Sequence, residues 1–303
     1  MKKKGIVIVI VISMLICAGV FGGCGQTATK QENVAISNSE EGKQNETAQK
    51  GEMPTATYMG GENTIKEVCE ELRLAGASHV DTFQEWVTDF ADSVGKNANL
   101  EDAWSDPEKM EADISKCMDG WEQNHEYSDT DCRMTAFLLL DGMLQAKTTE
   151  DTYEGTYLMF DTEAIDTVDR YKVIKEKKDM FTTLYGEKSV SDAKHPENTF
   201  SDSWKQYGFQ IDSDRISLLS IVIYDPYSDV VFVGHTGILI KYSDYYVFVE
   251  KIAFEQPYQV TKVHAMDELL HILSLRPEYF GDEKEAGPFV YNNGEYVGTL
   301  KKA

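Results

Sequence analysis

Positive charge is what this sequence has least of. Lys and Arg number 29 against 52 Asp and Glu, a formal net charge of −23 over 303 residues. A surface that acidic is repelled by phosphate backbones and anionic lipid heads, which excludes nucleic-acid binding driven by charge. No Rossmann or phosphate-loop glycine pattern occurs, so a nucleotide cofactor is not expected. Neither a His-Glu-x-x-His nor a Cys-x-x-Cys is present, and no metal site is expected either. Internal repeats and low-complexity stretches are missing after Thr57. Core material is in good supply, with 42% hydrophobic and 11% aromatic residues, so the bulk of the chain reads as globular.

The N-terminus carries its own signature. Lys2, Lys3 and Lys4 precede an almost wholly apolar run from Ile6 to Phe21, followed by Gly22-Gly23-Cys24. A basic start, an apolar run and small residues before a cut are the plan of an export signal. Cysteine directly after two glycines adds the pattern of a lipobox, in which Cys24 takes the lipid and becomes the new N-terminus. The competing reading is a single membrane-spanning anchor. From Gln26 to about Thr57 the chain is polar and cannot bury enough surface to offset its ordering entropy, so residues 24–57 read as a flexible tether. The expected organisation is a signal peptide at 1–23, a tether at 24–57 and one folded domain at 58–303. That domain would be held by a lipid on the extracellular face of a membrane.

Helices are expected first. Asn63 or Thr64 can cap a stretch with Ile65, Val68, Cys69 and Leu72 on one face. Asp81 can cap another bearing Phe83, Trp86, Val87, Phe90 and Val94. A third helix is suggested between Asn99 and Glu126, and a fourth over 132–145. The second half turns to strands: Ile216 to Tyr224, Val230 to Lys241 and Tyr245 to Phe254, the last two joined at Ser243-Asp244 as a hairpin. A helix over 265–275 follows, then two short strands around the Asn293-Gly294 turn. Helices before sheet in one unit predict an α+β fold.

Five cysteines lie at 17, 24, 69, 117 and 132. Cys17 leaves with the signal and Cys24 takes the lipid, so an odd number remains and at least one thiol is free. Cys69 and Cys117 sit on apolar helical faces, and the arithmetic leaves room for a bridge between them. Cys132 opens an apolar helix behind Ser128, Asp129, Thr130 and Asp131. Helix N-termini favour thiolate, whereas neighbouring Asp129 and Asp131 oppose it. The alternative to a nucleophile at this position is a structural cysteine.

His235 is the histidine that could answer Cys132, because it lies inside a strand otherwise made for a core and needs a partner there. A two-residue turn at Ser243-Asp244 sets Gly237 opposite Glu250, placing Glu250 diagonal to His235 on the same face. Cys132 as nucleophile, His235 as base and Glu250 as orienting acid would form a triad. The Cys132 amide and Tyr127 are candidates to hold the oxyanion. Glu250 could instead pair with Lys241 or Lys251, and Gln259, Asp225 and Asn292 are weaker substitutes for the third position.

Asp131-Cys132 at a helix start, then Gly234-His235-Thr236-Gly237 on a later strand, resembles papain-like cysteine hydrolases of the NlpC cell-wall peptidase type. Arg133 and Met134 depart from the small residues usual after that cysteine, and an acidic third member departs from the usual His, Asn or Gln. The stretches 131–139, 232–237, 248–253 and 256–262 resemble more closely an uncharacterised family of Gram-positive lipoproteins, domain of unknown function 4300. The resemblance implies a shared fold over about residues 58–300, with the helical half bearing Cys132 packed on an antiparallel C-terminal sheet. Two functions are expected from it. One is a membrane-anchored cysteine hydrolase, an amidase or peptidase cutting cell-wall peptide or surface protein. The other is a non-catalytic surface protein that binds on the same scaffold. A transporter's solute-binding lipoprotein is disfavoured because the chain lacks two alternating β/α lobes.

Overall fold

The computed structural model describes residues 53–95, 98–150, 152–281 and 286–302. The expected signal peptide, the lipidation residue Cys24 and residues 24–52 of the expected tether lie outside them. Ordered structure begins ahead of residue 58, because β1 (Thr55–Thr57) is already a sheet strand.

Four helices open the fold: α1 (Glu62–Ala75), α2 (Val80–Val94), α3 (Ile114–Asn124) and α4 (Cys132–Leu140). The apolar stripes set them. α1 buries Ile65, Val68, Cys69 and Leu72, and α2 buries Phe83, Trp86, Val87, Phe90 and Val94. The caps differ from expectation. Gly61 is the N-cap of α1, and the free amides of Asn63 and Thr64 donate to the Asp102 carboxylate at 3.2 and 2.8 Å. A side chain distant in sequence thus does the work of a local cap. Chain entry to α2 passes through His79 at φ 48°, leaving Asp81 in the first turn. α4 stops at Leu140, short of Gln145, and Gly142 at φ 82° turns the chain into β2 (Leu144–Gln145).

Residues 159–207 hold four helices that the sequence pattern did not announce: α5 (Met159–Thr167), α6 (Lys172–Lys175), α7 (Lys178–Tyr185) and α8 (Glu197–Tyr207). Two short strands, β3 (Lys188–Ser189) and β4 (Gln210–Ile211), fall among and after them.

The remaining strands are β5 (Ile216–Asp225), β6 (Val230–Lys241), β7 (Tyr246–Lys251), β8 (Tyr258–Val263), β9 (Ala286–Asn292) and β10 (Glu295–Thr299), with α9 (Met266–Ser274) between β8 and β9. The sheet runs β1-β8-β7-β6-β5-β9-β10, antiparallel throughout, and β2 pairs with β4 apart from it. Lys241 pairs with Tyr246 and Ile238 with Val249, the register that a two-residue Ser243-Asp244 turn dictates. Asn293 at φ 48° and Gly294 at φ 76° form the other tight turn. β7 ends at Lys251 and not at Phe254, because the chain reverses through 252–257 into β8, which the pattern did not reveal.

The fold is α+β, and its sheet has two unequal faces. One packs Ile238, Ile240, Val247 and Val249 into the large core shared with α1, α2, α4 and α7. The other packs Leu239, Phe248 and Val263 beneath Leu269, Ile272 and Leu273 of α9. β3 pairs with Val230 and Val231 on the same edge of β6 that β7 joins from Ile238 onward. Between them β6 has no strand beside it among the described residues. The first turn of α4 comes to this gap.

Asp102→Ala should cost about 1–2 kcal/mol by stranding the α1 amides. Urea unfolding of the variant checks it, and stability equal to the parent would show that water caps α1 equally well.

Candidate functional site

The first turn of α4 is built on Asp131, the N-cap, whose Oδ1 accepts the Met134 amide at 2.8 Å. Arg133 then reaches two ways. Its Nε and Nη2 make a fork on Asp161 of α5 at 2.7 and 2.9 Å, and Nη1 donates to the Val233 carbonyl of β6 at 3.0 Å. Nη2 also lies 2.8 Å from Asp131 Oδ2. Arg133 therefore fixes α4 and α5 to the unpaired edge of β6. A guanidinium suits this task because its planar donors meet a carboxylate in parallel while another remains for a carbonyl.

Cys132 lies inside this arrangement and is buried. The Thr236 backbone N–H lies toward its sulfur, and Tyr185 of α7 lies close to both. A thiolate is strongly disfavoured here. Burial and the negative charges of Asp131 and Asp161 push the thiol up to about 12 against the opposing Arg133. The favourable end of the helix is outweighed by desolvation, the stronger effect for a group removed from water. Cys69 and Cys117 are also buried free thiols, pushed up to about 11 chiefly by burial, and no bridge joins them.

His235 and Glu250 do meet. His235 Nε2 lies 2.5 Å from Glu250 Oε2, as the hairpin register implied. Gly237 is needed for the approach, since a Cβ there would come within 2.6 Å of the Val249 carbonyl oxygen and 2.7 Å of the Phe248 ring. Arg276, just after α9, donates to both oxygens of Glu250 at 2.6 Å and to the Tyr279 hydroxyl at 2.7 Å. Burial alone would raise the Glu250 carboxyl, but Arg276 and His235 together hold it at about 2. Burial keeps the His235 imidazole below its ordinary value despite Glu250. Its ring packs against Phe248 and Tyr279, both in the core beneath α9.

His235 and Cys132 have different partners among the described residues. Neighbouring residues of a strand face opposite sides. The Thr236 side chain turns toward Tyr185 of α7 and its backbone N–H reaches Cys132 from the open edge of β6, while the His235 side chain turns toward Tyr279 and Glu250 on the α9 side. Among the described residues no hydrogen bond links the sulfur to the imidazole. Tyr127, the oxyanion candidate, receives a hydrogen bond on its hydroxyl from Arg170 at 3.2 Å and packs with Trp121, His125 and Tyr171.

Gln259, a substitute third member, pairs opposite Glu250 and donates to Thr261. Asp225 accepts from Tyr157 at the far end of β5. Asn292 belongs to the sheet at the end of β9. Lys251 is buried against Asp129 and does not pair with Glu250 at the surface. Sequence reasoning missed Asp161, Arg276 and Tyr279, since nothing local marks a buried ion partner supplied by another helix. Arg133 carried the one available signal, a charged residue inside an apolar helix that needs a carboxylate nearby.

Among the described residues, no group of three or more His, Cys, Asp and Glu side chains is placed to hold a metal ion. None of the described helices is long and apolar enough to cross a membrane. A family model described as a domain of unknown function, DUF4300, matches residues 56–297. The chain belongs to that family. No curated protein and no solved structure matches it. In this DUF4300 chain the stretches around Cys132 and His235 belong to two buried ionic clusters, one about Arg133 and one about Arg276.

Burial and the adjacent Asp161 raise the Asp131 carboxyl to about 8 against the opposing Arg133. An acid raised on folding binds more protons folded than unfolded between the two values, so stability declines as pH rises from about 4 to about 8. Asp131→Asn retains a capping side chain and removes this ionisation. Denaturant unfolding near pH 5 and near pH 8 should show the variant losing less stability than the parent across that interval, by at least about 1 kcal/mol. Identical pH slopes would contradict the shared-charge description of this cluster.

Proposed function

We propose that this protein is a lipid-anchored, extracytoplasmic binding protein that keeps a papain-like arrangement of elements without cysteine hydrolase chemistry. The observation that carries this reading is the burial of Cys132 with its thiol held protonated, while the His235 ring is enclosed by Glu250, Phe248 and Tyr279. A hydrolase needs its nucleophile within hydrogen-bond reach of its base and open to substrate. Anchoring rests on the lysines, apolar run and Gly22-Gly23-Cys24 of the N-terminus. The papain-like likeness rests on element order, with a cysteine opening a helix that packs on an antiparallel sheet bearing a later histidine.

Binding falls most naturally to the polar cleft between β3 and α8. It has a volume of about 610 Å³ and is lined by Glu150, Glu187, Asp192, His195, Asn198 and Asp202, among others. Lys188 also lines it and donates to the Thr183 and Gly186 carbonyls, and the four carboxylates that outnumber it suit a ligand that is polar and bears ammonium groups, such as the peptide portion of a cell wall. The chain's net charge of −23 favours the same sign of partner.

Incubation with purified wall fragments, read by mass and by retention on the immobilised protein, separates binding from cutting. Fragments should be retained with unchanged masses, and a thiol-reactive amide probe should label Cys132 no faster than Cys69 or Cys117 before unfolding. Shortened fragments from the parent that disappear with Cys132→Ala would establish the hydrolase instead.

A further inference from the structure

The last residue of β7 is a lysine with no exposure. Strand alternation sends Glu250 to the α9 side and Lys251 to the other, where its ammonium nitrogen lies between two rings. Nζ is 3.6 Å from the ring centre of Phe90 and 4.3 Å from that of Tyr258. Asp129 Oδ2 lies 2.5 Å from Nζ, and both side chains are fully buried. Neither Asp129 oxygen accepts a hydrogen bond of regular geometry among the described residues, while Nζ donates to the Gln256 carbonyl. Glu255, on the turn after β7 at φ 52°, accepts the Asp129 backbone N–H at 3.3 Å.

A lone ion pair is a poor use of such a position, because both charges are taken from water with little hydrogen bonding in return. Burial also pushes the Lys251 ammonium toward the neutral amine and raises the Glu255 carboxyl. An amine held against a carboxyl group, with water excluded by aromatic rings, is the reactant pair of an amide condensation. Contact removes the entropic cost of encounter, and dryness favours loss of water.

We propose that Lys251 Nζ and Asp129 Cγ are joined by an intramolecular amide bond that forms in the folded chain, with Glu255 carrying the proton. Transfer of one proton from the ammonium to the carboxylate gives the neutral pair. The amine lone pair attacks Cγ and the N–C bond forms. Glu255 takes a proton from the nitrogen and delivers it to a hydroxyl on Cγ. The C–O bond breaks, water leaves and the carbonyl is restored. Charge and atoms balance without an oxidant, reductant or co-reactant. The product ties the segment ahead of α4 to the end of β7, in a chain whose Cys69, Cys117 and Cys132 form no disulfide. Such a link restricts the unfolded chain as a disulfide would. It is independent of the binding role above.

Peptide mass mapping of the purified full chain tests the bond directly. Trypsin should fail to cut after Lys251, and the peptides bearing Lys251 and Asp129 should appear as one branched species, one water lighter than their sum. Asp129→Ala and Glu255→Gln should each yield the two linear peptides only. Near-ultraviolet circular dichroism confirms that a variant is folded, and Glu255→Gln carries the comparison if Asp129→Ala is not. Linear peptides cut after Lys251 in the folded parent would overturn the proposal.

Discussion

Alternation along β6 sends adjacent side chains to opposite sides of the sheet, and the pair His235–Thr236 falls where that division has chemical consequences. The Thr236 side chain faces Tyr185 in the helical half of the molecule, and its backbone N–H meets Cys132 at the start of α4. His235 faces α9 and the segment after it. Two polar clusters grow from this one step, and each completes its own charge balance. Arg133 answers Asp131 and Asp161 on one side, and Arg276 answers Glu250 and, through it, His235 on the other. The same rule at Glu250–Lys251 divides the end of β7, giving Glu250 to the histidine and Lys251 to Asp129.

The residues that resemble a nucleophile's surroundings serve an architectural need. A strand edge left between β3 and β7 exposes backbone groups that must find partners once buried. Arg133 supplies a donor to Val233, and Cys132 lies where the Thr236 amide reaches it. A small, weakly accepting side chain at the first position of α4 lets the helix approach that edge closely. Cysteine fits this role as a compact, buried residue. The cost of burying Arg133 is met by two carboxylates and a carbonyl, consistent with its position at the junction of α4, α5 and β6.

Much of this was legible in the sequence where the signal is local. The β6–β7 register followed from a two-residue turn and a period of two, which is why the His235–Glu250 contact was foreseen. α1 and α2 followed from stripes such as Phe83, Trp86, Val87 and Phe90. The run from α5 to α8 was not legible, because α5 and α6 are short, lack side-chain caps and get their stability from the core they complete. Parity along β6 was available too, but which side of the sheet α4 would cover is a tertiary matter. That choice decides which partners Cys132 meets. Asp102 capping α1, and Arg276 answering Glu250, are long-range in the same sense.

Nitrogen-15 and proton resonances of the His235 imidazole, compared between the parent protein and Cys132→Ala, test the separation of the two clusters most directly. Independence of the clusters predicts an unchanged tautomer, titration and Nε2 hydrogen bond to Glu250 in the variant. A shifted imidazole titration or a switched tautomer on loss of the sulfur would show that thiol and imidazole interact across β6, contradicting the account.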